Sequence, residues 1–434
     1  MDYQLLTEPS DAVLLIGFGG PTSMAEVRPF LDNVLRGRPV PPERIEAVVH
    51  HYEIIGGRSP FNELTFRQAR ALEAQLRAEG LALPVYVGMR TWTPYVQETL
   101  QQMAADSVRR AVGIIMAPHQ TEASWGRYER AVSAARARLG AVAPDIDYVD
   151  PWHAHPLFIE AVSDNAGAAL QQIPSERRTS AALVFTAHSV PTAMAAASPY
   201  VAQITESARL VAERSGHPQW TLAYQSRSGN PSEPWLDPDI NEVVRQLAGA
   251  GARDVVVAPI GFVCDHVEVL YDLDIETHQL AQDLGLNFVR AATVNDHPTF
   301  VRMLADVVRQ RVHAASPTSP AQRTQVPSPL ETVDKREPHP SRRSQNPSTR
   351  RSAPAQEGPP QGERKLSFEN NNRTARPEEP ASSGGVSKGA RWRKSTVPTK
   401  EGSGGGSSSG GNLSLSLSFV RRGDPTSQIA KRSR

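Results

Sequence analysis

Eight short runs rich in Val, Ile, Leu and Ala recur along this chain, at residues 12–18, 84–89, 111–117, 146–149, 181–187, 220–225, 254–260 and 287–290. Most are apolar nearly throughout instead of alternating, so both faces need cover, which is the condition of a strand inside a parallel sheet. Stretches with helical spacing separate most of them, among them 63–79, 128–139, 199–215 and 240–249. Strand and helix in alternation predict an α/β architecture with helices on both faces of the sheets. The runs divide four and four, which predicts two similar doubly wound domains, 1–155 and 156–297, with a cleft between them. A last helical stretch, 298–313, is expected to pack back on the first domain. Ligands of such folds sit outside the carboxyl ends of the strands.

Charge divides the chain differently. Residues 1–314 carry 26 Lys+Arg against 36 Asp+Glu, and residues 315–434 carry 21 against 10, so a body of net −10 and a tail of net +11 hide inside an overall +1. The tail, 314–434, is a low-complexity basic segment of Ser, Pro, Gly and Arg. It cannot bury enough apolar surface to offset an ordering entropy of roughly 1–2 kcal/mol per residue, so disorder is expected there. Its Arg342-Arg343 and Arg350-Arg351 pairs suit anionic lipid or nucleic acid, and a dispensable extension accounts for them equally well.

Cys264 is the sole cysteine, which excludes an intrachain disulfide framework and leaves too few thiolates for an iron–sulfur cluster. The N-terminus lacks a basic segment followed by an apolar core. No apolar run approaches the ~20 residues of a membrane span. A cytoplasmic protein is expected, with peripheral membrane contact left open.

Two segments concentrate the chemistry. In Phe185-Thr186-Ala187-His188-Ser189-Val190-Pro191 a histidine ends a buried run. Such a histidine is more often structural than catalytic, yet at a strand end in a cleft a neutral imidazole can ligate a divalent transition metal or accept a proton. In the second segment, Pro259-Ile260-Gly261-Phe262-Val263-Cys264-Asp265-His266-Val267-Glu268-Val269-Leu270-Tyr271-Asp272, an apolar run opens into carboxylates. A helix beginning near Asp265 would align Asp265, Glu268, Asp272 and Glu276 on one stripe. Such a stripe is usually a solvated face. Growing out of an apolar strand, it can instead pass a hydrated cation inward while replacing its waters stepwise. Gly17-Phe18-Gly19-Gly20-Pro21 is a weaker signal: it lacks the spacing and the Lys of a phosphate loop, and a tight turn explains it.

Taken together, residues 12–312 resemble the ferrochelatase family. The resemblance is carried by residues 15–21, His51-Tyr52-Glu53-Ile54-Ile55-Gly56-Gly57-Arg58-Ser59-Pro60, Ala117-Pro118-His119, 124–128, 186–191, Gln225-Ser226 with Pro234-Trp235-Leu236, and 261–272. It implies two Rossmann-like, chelatase-type domains gripping a porphyrin, with His188 and Glu268 as a facing catalytic and metal-binding pair. It places Asp272 and Glu276 on an outer metal site, and Arg36, Arg38, Ser59, Tyr128 and Trp235 around the porphyrin. No cofactor is implied beyond the substrate Fe²⁺. This chain departs from relatives at three places. Phe18 replaces a tyrosine found in some of them, so no oxygen there can bind metal. His51 replaces an arginine before the Tyr-Glu pair. Gln120-Thr121-Glu122-Ala123 replaces a Ser/Thr-rich loop.

Metalation of a porphyrin requires loss of two pyrrole protons and a bent macrocycle that exposes its nitrogen lone pairs. The expected arrangement is a neutral His188 as proton acceptor or first iron ligand, beside a Glu268 whose pKa burial raises and a charged His188 would oppose. The alternatives are a cobalt chelatase of the same fold, a non-catalytic porphyrin or metal carrier, and a periplasmic-type solute binder. A corrinoid precursor carries more carboxylates and calls for a more basic cleft, whereas this body is acidic with Trp92, Trp125 and Trp235 available as apolar lining. No nucleic-acid partner is expected for the body, and the porphyrin could be protoporphyrin IX or coproporphyrin III.

Overall fold

A computed structural model describes residues 10–37, 40–228 and 232–315. Arg38 and the tail beyond Ala315 therefore lie outside the described residues. The first half runs β1 (Ala12–Gly17), α1 (Met24–Leu35), α2 (Pro42–Ile54), α3 (Phe61–Ala78), β2 (Val85–Met89), α4 (Val96–Ala105), β3 (Arg110–Ile115), α5 (Arg127–Leu139) and β4 (Asp145–Tyr148). The second runs α6 (Pro156–Leu170), β5 (Ala182–His188), α7 (Thr192–Ala196), α8 (Tyr200–Arg214), β6 (Trp220–Gln225), α9 (Ile240–Gly249), β7 (Asp254–Ala258), α10 (Val267–Leu270), α11 (His278–Asp283), β8 (Asn287–Arg290) and α12 (Pro298–Ala315).

Each half holds one four-stranded sheet, and every pairing is parallel. The orders, β2-β1-β3-β4 and β6-β5-β7-β8, are the same pattern twice. β1 is buried at every residue, as a strand covered on both faces must be. In each sheet the order reverses between the first and third strands, so the switch points lie between β1 and β3 and between β5 and β7.

The helices follow from apolar spacing. In α3, Leu64, Ala69, Leu72 and Leu76 share the buried face, and Gly80 with φ +86° ends the run where a side chain would be strained. α12 buries Phe300, Met303, Leu304 and Val308 in the same way. It lies against α3 and α6, with Arg309 bridging to Glu79, Arg302 to Glu160 and Asp306 to His155. A continuous core including Leu72, Met89, Trp152, Phe158, Phe185 and Phe300 joins both halves.

Candidate active site

β5 pairs with β7 only as far as Phe185, while its pairing with β6 continues to His188 and Gln225. Thr186, Ala187 and His188 therefore run past β7, and the loop after β7 folds over them. Gly261 N–H donates to the Thr186 carbonyl at 3.1 Å. A Cβ at Gly261 would lie 2.7 Å from the Ala187 Cβ, so only glycine permits this crossing. It brings the start of α10 beside His188. Both residues thus flank the switch point of the second sheet.

His188 Nδ1 donates to the Ser189 carbonyl, which fixes the ring and turns Nε2 outward. The Tyr200 hydroxyl donates to the His188 carbonyl at 2.9 Å and holds its backbone. Nε2 lies 3.4 Å from Glu268 Oε1, with the two side chains 29% and 35% exposed. The other Glu268 oxygen lies 3.2 Å from His266 Nε2, and the Gln225 amide donates to the Glu268 carbonyl. Burial opposes a charge on His188, but Glu268 and the Ser189 bond outweigh it and raise the pKa to about 9. Burial likewise opposes a charge on Glu268, yet His188 and His266 hold it well below the usual carboxylate range. The pair is imidazolium and carboxylate at neutral pH. That corrects the expectation of a neutral His188 beside a Glu268 of raised pKa: two imidazoles against one carboxylate outweigh its desolvation.

The carboxylates beyond form a gradient. Asp272 is half-buried and accepts from the Ser226 hydroxyl. Burial, opposed by Ser226 and reinforced by Glu268 and Glu276, raises its pKa to about 7. Glu276 is exposed. Asp265 does not join them. His266 is extended at φ −160° as the cap of α10, so Asp265 precedes the helix and lies on none of its faces. It accepts instead from Arg290, Thr293 and Asn295. From Asp272 to Thr277 the helix widens into a π turn, with Glu276 N–H donating to the Tyr271 carbonyl at 2.9 Å.

Opposite stand first-half residues. Glu268 acts electrostatically on both Tyr52 and Tyr128. Burial pushes the Tyr128 phenol up to about 12, Arg90 pulling it down and Glu268 up. The Arg90 guanidinium lies 4.9 Å from the Phe18 ring centroid and 5.7 Å from that of Tyr128. Sequence reasoning missed Arg90, although a cation just past the end of β2 is a signal of the same kind as His188. His51 stacks on Tyr271 with centroids 3.5 Å apart, bringing α2 against the carboxylate helix. Burial first, then Arg44 and His50, lower the His51 pKa to about 4.

The remaining expected contacts divide. Trp235 is half-buried, and Leu236 N–H donates to the Val190 carbonyl, which places this segment just after His188. Ser59 is buried; its Oγ accepts from Phe61 N–H and it packs against Gly20, so it shapes the turn and the start of α3. Arg36 is exposed at the end of α1, donating to Asn33. Trp125 is 7% exposed and packs in the first-half core together with Tyr128, and its N–H donates to the Ala117 carbonyl. Trp92 packs edge-on against Phe30 and donates to Glu26. Gly20 N–H donates to Asn62 Oδ1, so that glycine run is a turn.

A carboxylate and a base share one contact at the inner end of an acidic ladder and face an aromatic wall. The fold and this pairing define an α/β protein with an acid–base site at the carboxyl ends of its strands. The ferrochelatase family model matches residues 10–312, and the chain belongs to that family. The coproporphyrin III ferrochelatase of Mycolicibacterium smegmatis is 40% identical over 323 residues, covering 74% of this chain and 94% of that relative. The ferrochelatase of Rhodopirellula baltica is 42% identical over 306 residues, covering 70% and 87%. Among solved structures, SirB from Bacillus subtilis with Fe³⁺ aligns with a TM-score of 0.45 at 14% identity, covering 70% of this chain and 96% of that one.

Proposed function

We propose that this chain inserts Fe²⁺ into coproporphyrin III, releasing two protons, as a step of heme biosynthesis. The observation that carries the reaction is the His188–Glu268 contact at the inner end of the Asp272–Glu276 ladder. The names of several relatives at about 40% identity support coproporphyrin III over protoporphyrin IX. In this reading Glu276 and Asp272 strip water from incoming Fe²⁺ in steps and Glu268 receives it. A dication arriving at Glu268 cancels the field that keeps His188 protonated, so the imidazolium gives up its proton. The imidazolium proton leaves by way of Asp272, whose pKa lies near neutrality, and neutral Nε2 then takes the two pyrrole protons one after the other, passing the first outward along the same route before it accepts the second. The wall of Phe18, Arg90 and Tyr128 presses the macrocycle toward the base. The exchange is redox-neutral, so its balance calls for no nucleotide or electron carrier.

No helix among the described residues is long and apolar enough to cross a membrane. A cytoplasmic enzyme touching anionic lipid through its basic tail is the location we propose. The deciding experiment is anaerobic. Purified protein and Fe²⁺ are mixed with coproporphyrin III or protoporphyrin IX, following metalloporphyrin absorbance, beside His188→Ala. The expected result is turnover of coproporphyrin III that falls to background in the variant. Preference for protoporphyrin IX would overturn the substrate assignment, and tight porphyrin binding without metalation would make the protein a carrier.

A further inference from the structure

We infer that a buried polar interlock between the β3 loop and α8 fixes the width of the cleft, which makes Gln203 a positioning residue for metal insertion; this rests on the chelatase reading above. The loop after β3 belongs to the first half, and α8 to the second. Gln120 N–H donates to Gln203 Oε1 at 2.8 Å, and the Gln203 amide donates to Gln120 Oε1 at 2.8 Å. One turn along α8, Ser207 Oγ lies 3.1 Å from His119 Nε2. Ser207 has one hydrogen, and carbonyls stand ready for it at His153, 2.8 Å away, and at Gln203, 3.0 Å away. The His119 Nε2–H is therefore the donor, and the tautomer is fixed. His119, Gln203 and Ser207 are 2%, 7% and 0% exposed and Gln120 is half-buried, so the His119–Ser207 bond is closed to water and the glutamine pair is shielded on its α8 side.

The interlock stands between the two walls of the site. α8 opens with Tyr200, whose ring lies edge-on to His119 at 6.2 Å and whose hydroxyl holds the His188 carbonyl. The β3 loop, pinned by Ser124 Oγ donating to the His119 carbonyl, runs on through Trp125 into Tyr128. A chain of contacts thus links Tyr128 on the wall to His188 on the opposite side, and it crosses between halves at Gln120–Gln203 and His119–Ser207. Bending a macrocycle depends on the gap between wall and base, and a misplacement of about 1 Å can cost a reaction on the order of 100-fold.

The test compares Gln203→Met, which keeps length and apolar packing but removes both bonds, with Gln203→Glu, which keeps two acceptors for the Gln120 donors once the Gln120 amide turns over. Steady-state metalation of coproporphyrin III by Fe²⁺, resonance Raman out-of-plane bands of the bound porphyrin, and thermal melting are measured on the full chain. Gln203→Met is expected to lower kcat about tenfold with KM changed less than about twofold, and to weaken the out-of-plane bands. Gln203→Glu is expected to keep kcat, KM and the bands within about twofold of the parent while melting at a lower temperature, because its carboxylate is buried without a cation. Should Gln203→Met fail to fold, Ser207→Ala removes the second bond and is expected to act in the same direction. Parental kcat and bands in Gln203→Met, or losses that track melting temperature alike in both variants with the bands unchanged, would overturn the interlock. A parent chain that binds porphyrin without metalating it would sink the chelatase reading instead, and the Raman bands would still report on the interlock.

Discussion

His188 and Glu268 titrate against each other, and the sign of each shift sets where the fold gains from them. A histidine raised from 6.5 to about 9 contributes stability that is complete below about pH 6.5 and lost as pH rises through about 9. Glu268, held below the ordinary carboxylate value of 4.5, contributes stability that is complete above about pH 4.5 and lost on acidification. Both contributions are whole between about pH 4.5 and 6.5. In ¹³C-histidine-labelled apoprotein, the His188 resonance is expected to titrate near pH 9. In Glu268→Gln it should titrate well below pH 9, because burial remains and its nearest counter-charge is gone, leaving only the Ser189 bond and Asp272 to favour the cation; a resonance still moving near pH 9 would refute the pairing. Ser226→Ala should act on Asp272 in the opposite sense to that loss. The hydroxyl favours the carboxylate, so its removal raises the Asp272 pKa beyond about 7. The KM for Fe²⁺ at pH 7 is expected to rise about threefold and to converge on the parental value as pH increases. At this scale the positions of His188 and Glu268 were legible from apolar runs that end in titratable groups. Their charge states were not, because burial, the largest influence on each, is outweighed by the 3.4 Å and 3.2 Å contacts that bring His188 and His266 to Glu268 only in the folded chain.

Among elements, Arg290 at the end of β8 does what periodicity could not reveal. It grips Asp274 through Nε and a terminal nitrogen at 2.6 and 2.8 Å and reaches Asp265 at 3.2 Å. Two of the carboxylates in the acidic segment are thereby neutralised on either side of Glu268 and Asp272, which stay open toward the cleft. With Arg290, Asp265 and Asp274 only 15%, 19% and 31% exposed, Arg290→Met would leave two poorly solvated carboxylates without a cation. The expected loss is about 3 kcal/mol, read as a melting temperature lower by roughly 5–10 °C. An unchanged melting temperature would mean that the triad contributes nothing net. All eight strands were readable to within a few residues because most are compact apolar runs bounded by turn residues. The π turn at Asp272–Thr277 was not, since nothing in the local pattern separates it from an α-helix. It is held by a tertiary contact between Thr277 and Asn241, together with the Thr277 hydroxyl on the Asp272 carbonyl. Asp265 was misassigned for a related reason: the helix starts two residues later than the carboxylate spacing suggests.

At the scale of the whole chain, eight apolar runs dividing four and four made the two-sheet architecture legible, whereas the bonds that register one half against the other, such as Gln120 to Gln203, join residues 83 apart and leave no periodic trace. The family match stops at residue 312, just where net charge changes sign from acidic body to basic tail. Catalysis and tail should therefore separate. A chain ending at Ala315 keeps the site and all of β8 and α12, so its kcat and KM for coproporphyrin III and Fe²⁺ in vesicle-free buffer are expected to match the full chain within about twofold. Association with lipid should not survive the cut. The tail's net +11 is attracted to anionic headgroups at about 1 kcal/mol per basic residue near the surface, while the body's net −10 is repelled. Co-sedimentation with vesicles of mixed phosphatidylglycerol and phosphatidylcholine checks this. The full chain should pellet at 50 mM salt and be released at 500 mM, as a screened electrostatic contact must be, and the shortened chain should stay in the supernatant at both. All six lysines lie between residues 335 and 431, so amine-reactive labelling reads the tail almost alone, and protection by vesicles would locate the contact there. Pelleting of the shortened chain would place lipid binding on the body and remove the tail from the account.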